Sequence, residues 1–190
     1  LRVVREFGLD GIDIDWEYPT SSSAEISSSP EDTDNFTKLM KDLRKVLGND
    51  LLLTFASAAS ADYVDFRAVE PYVDFVNIMA YDMATAPKHH SALYESEISG
   101  GMTSDKAARA HMAAGVPAHK LVLGMPFYGR GAGHYADFND FKDIKPDIEA
   151  YEIWDEKAQV PFIADPDGTL IVGYDNPRSL KIKCEYVKAN

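Results

Sequence analysis

Apolar and acidic residues alternate over Ile12-Asp13-Ile14-Asp15-Trp16-Glu17. This is the period of two expected of a strand with two unlike faces. Asp13, Asp15 and Glu17 then share one face, with neighbours about 7 Å apart at ~3.4 Å rise per residue. Ile12, Ile14 and Trp16 take the other face, where Trp16 is expected to pack. Asp10 stands at the strand entrance with the opposite parity and is read as structural. Upstream, Leu1 to Phe7 reads as the last turns of an amphipathic helix that Gly8 ends. Downstream, the serine-rich stretch Thr20 to Ser29 reads as a loop.

The pattern then switches to a helical period. Phe36, Leu39, Met40, Leu43, Val46 and Leu47 predict one buried helix face, capped at Asp32 or Thr33 and running to Gly48. Leu51 to Ala56 is a short continuous apolar strand, as buried parallel sheets have. Ala61 to Tyr72 gives a weak helix or turn, and Asp74 to Asp82 the next strand. Met83 to Met102 reads as a long loop in which His89 and His90 lack a metal-ligand spacing. A helix capped by Thr103 or Ser104 runs to Gly115, and Leu121 to Gly129 predicts a fourth strand. From Gly131 to Tyr174 the pattern changes. Gly131 to Gly133 reads as flexible. Asp165-Pro166-Asp167-Gly168 is a turn between Val160–Ala164 and Leu170–Tyr174, hence a β-hairpin. Trp154 fits either a rim or the hairpin core. Pro177 to Lys188 predicts a closing helix.

Strands alternating with helices imply right-handed βαβ units and a parallel sheet, either part of a (β/α)8 barrel or part of an open doubly wound sheet. No Gly-x-Gly-x-x-Gly and no P-loop follows any strand, which weakens the nucleotide-binding folds. Glu17, Tyr81, Asp82, Tyr128 and Arg130 gather at strand C-terminal ends, where barrel enzymes place their chemistry.

Composition narrows the partners. The chain has 190 residues, 45% of them hydrophobic, which suffices for a packed core. The net charge of −12 argues against nucleic acid and anionic membrane, and no apolar run is long enough to span a bilayer. A neutral polysaccharide suits this surface. The lone cysteine, Cys184, excludes an internal disulfide and is expected to be a core thiol.

Three carboxyl groups so close cannot all ionise cheaply, and like charges raise one proton affinity. A protonated Glu beside an ionised Asp is what a departing glycosidic oxygen needs. A solvated acidic strip would not alternate with two Ile and a Trp. Calcium loops favour turn residues between their oxygens, and magnesium on two or three carboxylates is the stronger competitor.

The run Asp10-x-x-Asp13-x-Asp15-x-Glu17 resembles the Asp-x-x-Asp-x-Asp-x-Glu signature of the family 18 glycoside hydrolases, the chitinases and their relatives. Met79-Ala80-Tyr81-Asp82 is similar to the family's Met-x-Tyr-Asp, and Gly124 to Arg130 to its seventh barrel strand, in the expected order. The resemblance implies a (β/α)8 barrel, with this chain spanning the end of helix 3 through strands 4 to 7 to helix 7. Residues 1–130 would be partial barrel, 131–174 a short hairpin-containing insertion, and 175–190 the return to helix 7. It implies retaining hydrolysis of β-1,4-linked N-acetylglucosamine polymers, in which the substrate's 2-acetamido group supplies the nucleophile.

On the same resemblance Glu17 is the acid and then the base, Asp15 orients the acetamido group, and Asp13 shares a proton with Asp15, so that the three titrate as a coupled set. Tyr81 donates to the acetamido oxygen, and Met79, Asp82, Tyr128 and Arg130 bind substrate. No cofactor and no metal are expected, the partner is chitin or its oligosaccharides, and the family's setting is secreted, periplasmic or cell-surface. The family's strand-8 tryptophan has no counterpart here, so the segment alone is expected to be inactive. The short insertion suggests a shallower cleft and endo-type cutting. An endo-β-N-acetylglucosaminidase acting on N-glycans, a chitin-binding lectin and a metal-dependent barrel hydrolase are the rival readings.

Overall fold

The computed structural model describes residues 1–131, 134–137 and 151–190. Ala132, Gly133 and residues 138–150, which belong to the stretch read as a flexible lead-in and insertion, lie outside them. Two compact units are present, Leu1–Ile78 with Ala108–Val122, and Met79–Ala107 with Leu123–Asn190.

The first unit carries α1 (Arg2–Phe7), β1 (Gly11–Ile14), α2 (Asp32–Leu47), β2 (Leu52–Ala58), α3 (Phe66–Val69) and a single 3-10 turn, Glu70–Tyr72. β3 (Phe75–Met79) follows, then α4 (Ser104–Ala114) and β4 (Leu121–Leu123). The strands form one sheet in the order β1-β2-β3-β4, as successive strands joined by helical crossovers must. β1 lies parallel to β2 with Asp13 beside Thr54 and Ile14 beside Phe55. One face of this sheet is the core. Phe55 meets Phe36 of α2 edge-on at 5.2 Å and Phe66 of α3 at 6.1 Å. Ile12, Ile14 and Trp16 pack against the same cluster. The face expected on α2 buries Phe36, Met40 and Leu47, whereas Leu39 and Val46 remain exposed.

The opposite end of these strands is held by cations. Arg44 donates to the carbonyls of Tyr72 and Leu51 at 2.8 Å each, and to Asp74 at 2.5 Å. Asp74 also accepts from the Leu53 amide at 2.7 Å. Lys120 donates to the carbonyls of Glu70 and Val73. These contacts tie the C-terminus of α2 to the starts of β2 and β3, which is the face of such a sheet that carries stability rather than chemistry.

The second unit holds β5 (Tyr128–Gly131), β6 (His134–Asp137), β7 (Glu152–Asp155), β8 (Val160–Ala164), β9 (Leu170–Gly173) and α5 (Pro177–Ala189). Its sheet runs β6-β5-β9-β8-β7, with antiparallel pairs throughout. The hairpin expected around Asp165 to Gly168 is β8–β9, closed by Gly168 N to Asp165 O at 3.0 Å. One expectation is corrected. The single strand Leu121 to Gly129 is two strands in different sheets. Pro126 lacks the amide a central strand needs, so pairing stops at Leu123 and resumes at Tyr128. The hairpin is one part of a five-stranded sheet that β5, β6 and β7 complete.

The closing helix is capped as the sequence suggests. Asn176 accepts from the Ser179 amide, Ser179 Oγ accepts from the Asn176 amide, and Pro177 occupies the first turn. Its buried face is unexpected, however. Ser179, Lys183 and Tyr186 point inward and Cys184 is exposed, which corrects the expected core thiol. Lys183 donates to Asp175 and to the Ser91 carbonyl at 2.6 Å each, and Ser91 and Ser179 both donate to Asp175 at 2.7 Å. Burial holds the Lys183 ammonium below its ordinary range, against the pull of Asp175.

His89 and His90 are likewise not ordinary loop residues, since both are about 1% exposed. The His89 ring stands edge-on to Phe162 at 5.4 Å, with Nε2 3.2 Å from Asp155. Burial pushes His89 below its ordinary value, and the Asp155 carboxylate opposes the shift.

Two outcomes follow from this packing. A Cβ built on Gly11 falls on the Leu52 carbonyl oxygen, backbone that cannot yield. Gly11→Ala is expected to cost roughly 2 kcal/mol or more in urea unfolding, as overpacking does. For His89 the unfolded chain binds the proton more tightly than the folded one. Its stabilisation is therefore complete above the unfolded value of 6.5 and is lost as pH falls through the lower folded value. Melting curves between pH 7 and pH 5 are expected to fall less steeply for His89→Phe than for the unaltered chain.

Candidate active site

Asp13 is the third residue of β1, and the backbone pairing of that strand ends one residue later, at Ile14. Asp15 and Glu17 therefore lie just beyond the strand rather than inside it. The alternation nevertheless continues: Asp13 and Asp15 are exposed, while Trp16 turns to the core and meets Phe36 at 6.1 Å. The peptide joining Glu17 to Tyr18 is cis.

Asp13 is anchored from two neighbouring strands. Its Oδ1 accepts from the Thr54 hydroxyl on β2 and from Asn77 Nδ2 on β3, the latter at 2.8 Å. Asp15 is where the crowding of charge registers. Its carboxyl is held above the usual range, first by partial desolvation and then by the negative charges of Glu17 and Asp13. Glu17 is half-buried and accepts a hydrogen bond from Tyr18. The Tyr18 ring stacks on Tyr63 at 4.9 Å, nearly parallel at 19°. Burial and then the Glu17 hydrogen bond push the Tyr18 hydroxyl above its ordinary range. The end of one strand thus carries three neighbouring carboxyl groups, and among them Asp15 has the raised proton affinity.

Met79, Tyr81, Asp82, Tyr128 and Arg130 all belong to the second unit. Tyr128 and Arg130, together with His90, meet around Asp82. Its Oδ1 is 3.3 Å from Arg130 Nε and 3.4 Å from His90 Nδ1, and Tyr128 donates to its carboxylate. Burial raises the Asp82 proton affinity, but the hydrogen bonds from His90 and Tyr128 and the Arg130 charge outweigh it, and the carboxyl sits below its usual range. Tyr81 meets Tyr128 edge-on at 6.2 Å, and His90 lies tilted against Tyr128 at 5.4 Å. The Tyr128 hydroxyl is pushed up, by burial and then by the Asp82 charge. Asp82 adopts a left-handed backbone with φ of 54°. Asp tolerates this region better than most residues, and it turns the chain sharply after β3. Met79, the last residue of β3, is half-buried.

Four participants escape the sequence. Thr54 and Asn77 read as ordinary strand residues, Tyr18 as a residue following the motif, and His90 as a loop residue. By strand parity Asn77 shares the face of Met79 and Tyr81, which is the one signal in the sequence for any of the four. Among the described residues, no group of three or more His, Cys, Asp or Glu side chains is arranged to hold a metal ion. No helix among them is long and apolar enough to cross a membrane.

Comparison with known proteins identifies the family. The sequence model of glycosyl hydrolases family 18 matches residues 1–190. Chitinase A1 of Niallia circulans is 33% identical over 234 residues, covering 98% of this chain and 34% of that protein. The solved family 18 N-acetylglucosaminidase of Paenibacillus barengoltzii superposes with a TM-score of 0.89 at 34% identity, covering 99% of this chain and 65% of that one. The Group IV chitinase of Ostrinia furnacalis, solved in complex with allosamidin, gives a TM-score of 0.84 at 29% identity, with 99% and 60% covered. The chain thus spans between about a third and two thirds of the length of these relatives. Its β1-β2-β3-β4 sheet is part of a (β/α)8 barrel, and the chain belongs to glycoside hydrolase family 18.

Proposed function

We propose that this chain is catalytic machinery of a chitinase-like enzyme that cleaves β-1,4-linked N-acetylglucosamine polymers with retention of configuration. The observation that carries the reading is the raised Asp15 carboxyl beside Glu17 and Asp13 at the end of a single strand. Ordinary retention uses two carboxyl groups about 5 Å apart, one on each side of the sugar. Carboxyl groups in series along one strand end supply an acid but no nucleophile for the opposite side. The 2-acetamido carbonyl of the substrate fills that role. Glu17 gives its proton to the glycosidic oxygen as the C1–O bond breaks, while the acetamido oxygen bonds to C1 and forms an oxazolinium ion. Water then attacks C1, gives its proton to Glu17, and the ring reopens. Asp15 orients the acetamido N–H and takes up the charge that develops on it, and Asp13 shares the Asp15 proton.

Tyr81 donates to the acetamido oxygen. Asp82 accepts from sugar hydroxyls, and Met79, Tyr128 and Arg130 line the substrate. The ionised state of Asp82, enforced by its three neighbours, suits an acceptor. The names of the relatives, chitinase and N-acetylglucosaminidase, support N-acetylglucosamine as the sugar. The allosamidin complex of one of them supports a site shaped for such sugars.

Glu17→Gln, assayed on a chitobiose-linked chromogenic substrate, is expected to lose about 10³-fold in kcat while oligosaccharide binding changes less than about threefold. Turnover at the unaltered rate would remove Glu17 from the mechanism. A thiazoline that mimics the oxazolinium ion is expected to inhibit competitively. Hydrolysis that continues undisturbed at saturating thiazoline would show that the acetamido group does not participate.

A further inference from the structure

The parallel register that sets Asp13 beside Thr54 has a chemical result. Both the Thr54 hydroxyl and the Asn77 amide donate to the same oxygen of Asp13, Oδ1. A carboxylate oxygen that accepts two hydrogen bonds has its lone pairs engaged and is the poorer place for a proton. Any proton that Asp13 exchanges with Asp15 must therefore use Oδ2. Thr54 is buried, about 5% exposed, so its hydroxyl is held in place by the sheet rather than by solvent. Its neighbours along β2, Leu53 and Phe55, belong to the core on the opposite face. A valine would fill the same volume at Thr54, so its hydroxyl serves Asp13 rather than packing.

We propose that Thr54 and Asn77 are positioning residues of this site, which pin Oδ1 of Asp13 and leave Oδ2 as the single oxygen through which the proton passes between Asp13 and Asp15. The inference rests on the substrate-assisted reading above and adds two residues that act through Asp13. In that mechanism Asp15 must change partner between Asp13 and the acetamido group within each turnover. A freely rotating Asp13 would offer either oxygen and would lose the alignment. With the carboxylate pinned from two strands, its rotation about χ2 is already restricted before substrate arrives, which is preorganisation of the kind that speeds a step without changing ground-state binding.

The test uses an active polypeptide carrying this chain and the same chromogenic substrate. Thr54→Val removes the donor at nearly constant volume, and Thr54→Ser keeps the donor. Asn77→Ala removes the second donor at a half-buried position where loss of volume is tolerated. Thr54→Val and Asn77→Ala are each expected to lower kcat about tenfold with KM changed less than about twofold. Thr54→Ser is expected to recover most of the lost kcat, and thermal midpoints are compared alongside. Unchanged kcat in both Thr54→Val and Asn77→Ala would overturn the proposal. So would a Thr54→Ser variant as slow as Thr54→Val, since the effect would then be one of packing. Glu17→Gln run in parallel separates the levels. If it stays active, the substrate-assisted reading itself fails. If it is inactive while Thr54→Val and Asn77→Ala keep full kcat, only the positioning role fails.

Discussion

Repulsion among like charges on one short stretch of chain is the constraint to which the rest of the site responds. Asp13, Asp15 and Glu17 come from five consecutive residues, and partial desolvation, followed by the field of the outer two, raises the proton affinity of the middle one. The fold tolerates this because each flanking group is given donors. Thr54 and Asn77 serve Asp13, and Tyr18 serves Glu17. Asp15 is left to carry the imbalance. A carboxyl whose proton affinity is raised in this way is suited to exchanging a proton with its neighbours.

The second unit treats a carboxylate in the opposite way. Asp82 is partly desolvated too, but His90, Tyr128 and Arg130 surround it with donors and positive charge, and its proton affinity falls. The contrast follows the rule that environments pushing two carboxyl groups apart assign them different tasks. A proton-exchanging role fits Asp15, and a fixed acceptor role fits Asp82. The ring of Tyr128, whose hydroxyl donates to this acceptor, is itself packed edge-on by Tyr81 and at a tilt by His90.

Much of this was legible before coordinates. The alternation from Ile12 to Glu17 shows a strand with a chemical face, because a period of two is a strong local signal. The α2 heptad-like spacing and the Asp165 to Gly168 turn were equally plain. What could not be read depends on partners distant in sequence. Strand pairing beyond Ile14 is decided by where β2 runs, not by residues 15 to 17. His89 and His90 look like polar loop residues, yet Asp155 and Asp82 make their burial affordable. Pro126 was visible, but its effect of separating two sheets appears only once both sheets exist. Cys184 was misplaced for a related reason. Apolar periodicity in α5 points to a greasy face, whereas the helix docks on Ser179, Lys183 and Tyr186 through Asp175 and Asp105.

A helix docked through such groups behaves differently from one seated on leucines. Greasy surfaces forgive sliding, because one methyl replaces another at little cost. Here a slip of one turn along the axis would strand the Lys183 ammonium away from Asp175 and the Ser91 carbonyl, a loss of about 3–5 kcal/mol for a buried charge without its partner. Only a single seat accepts α5, so its arrival also fixes the loop that bears His90, and with it the neighbour of Asp82.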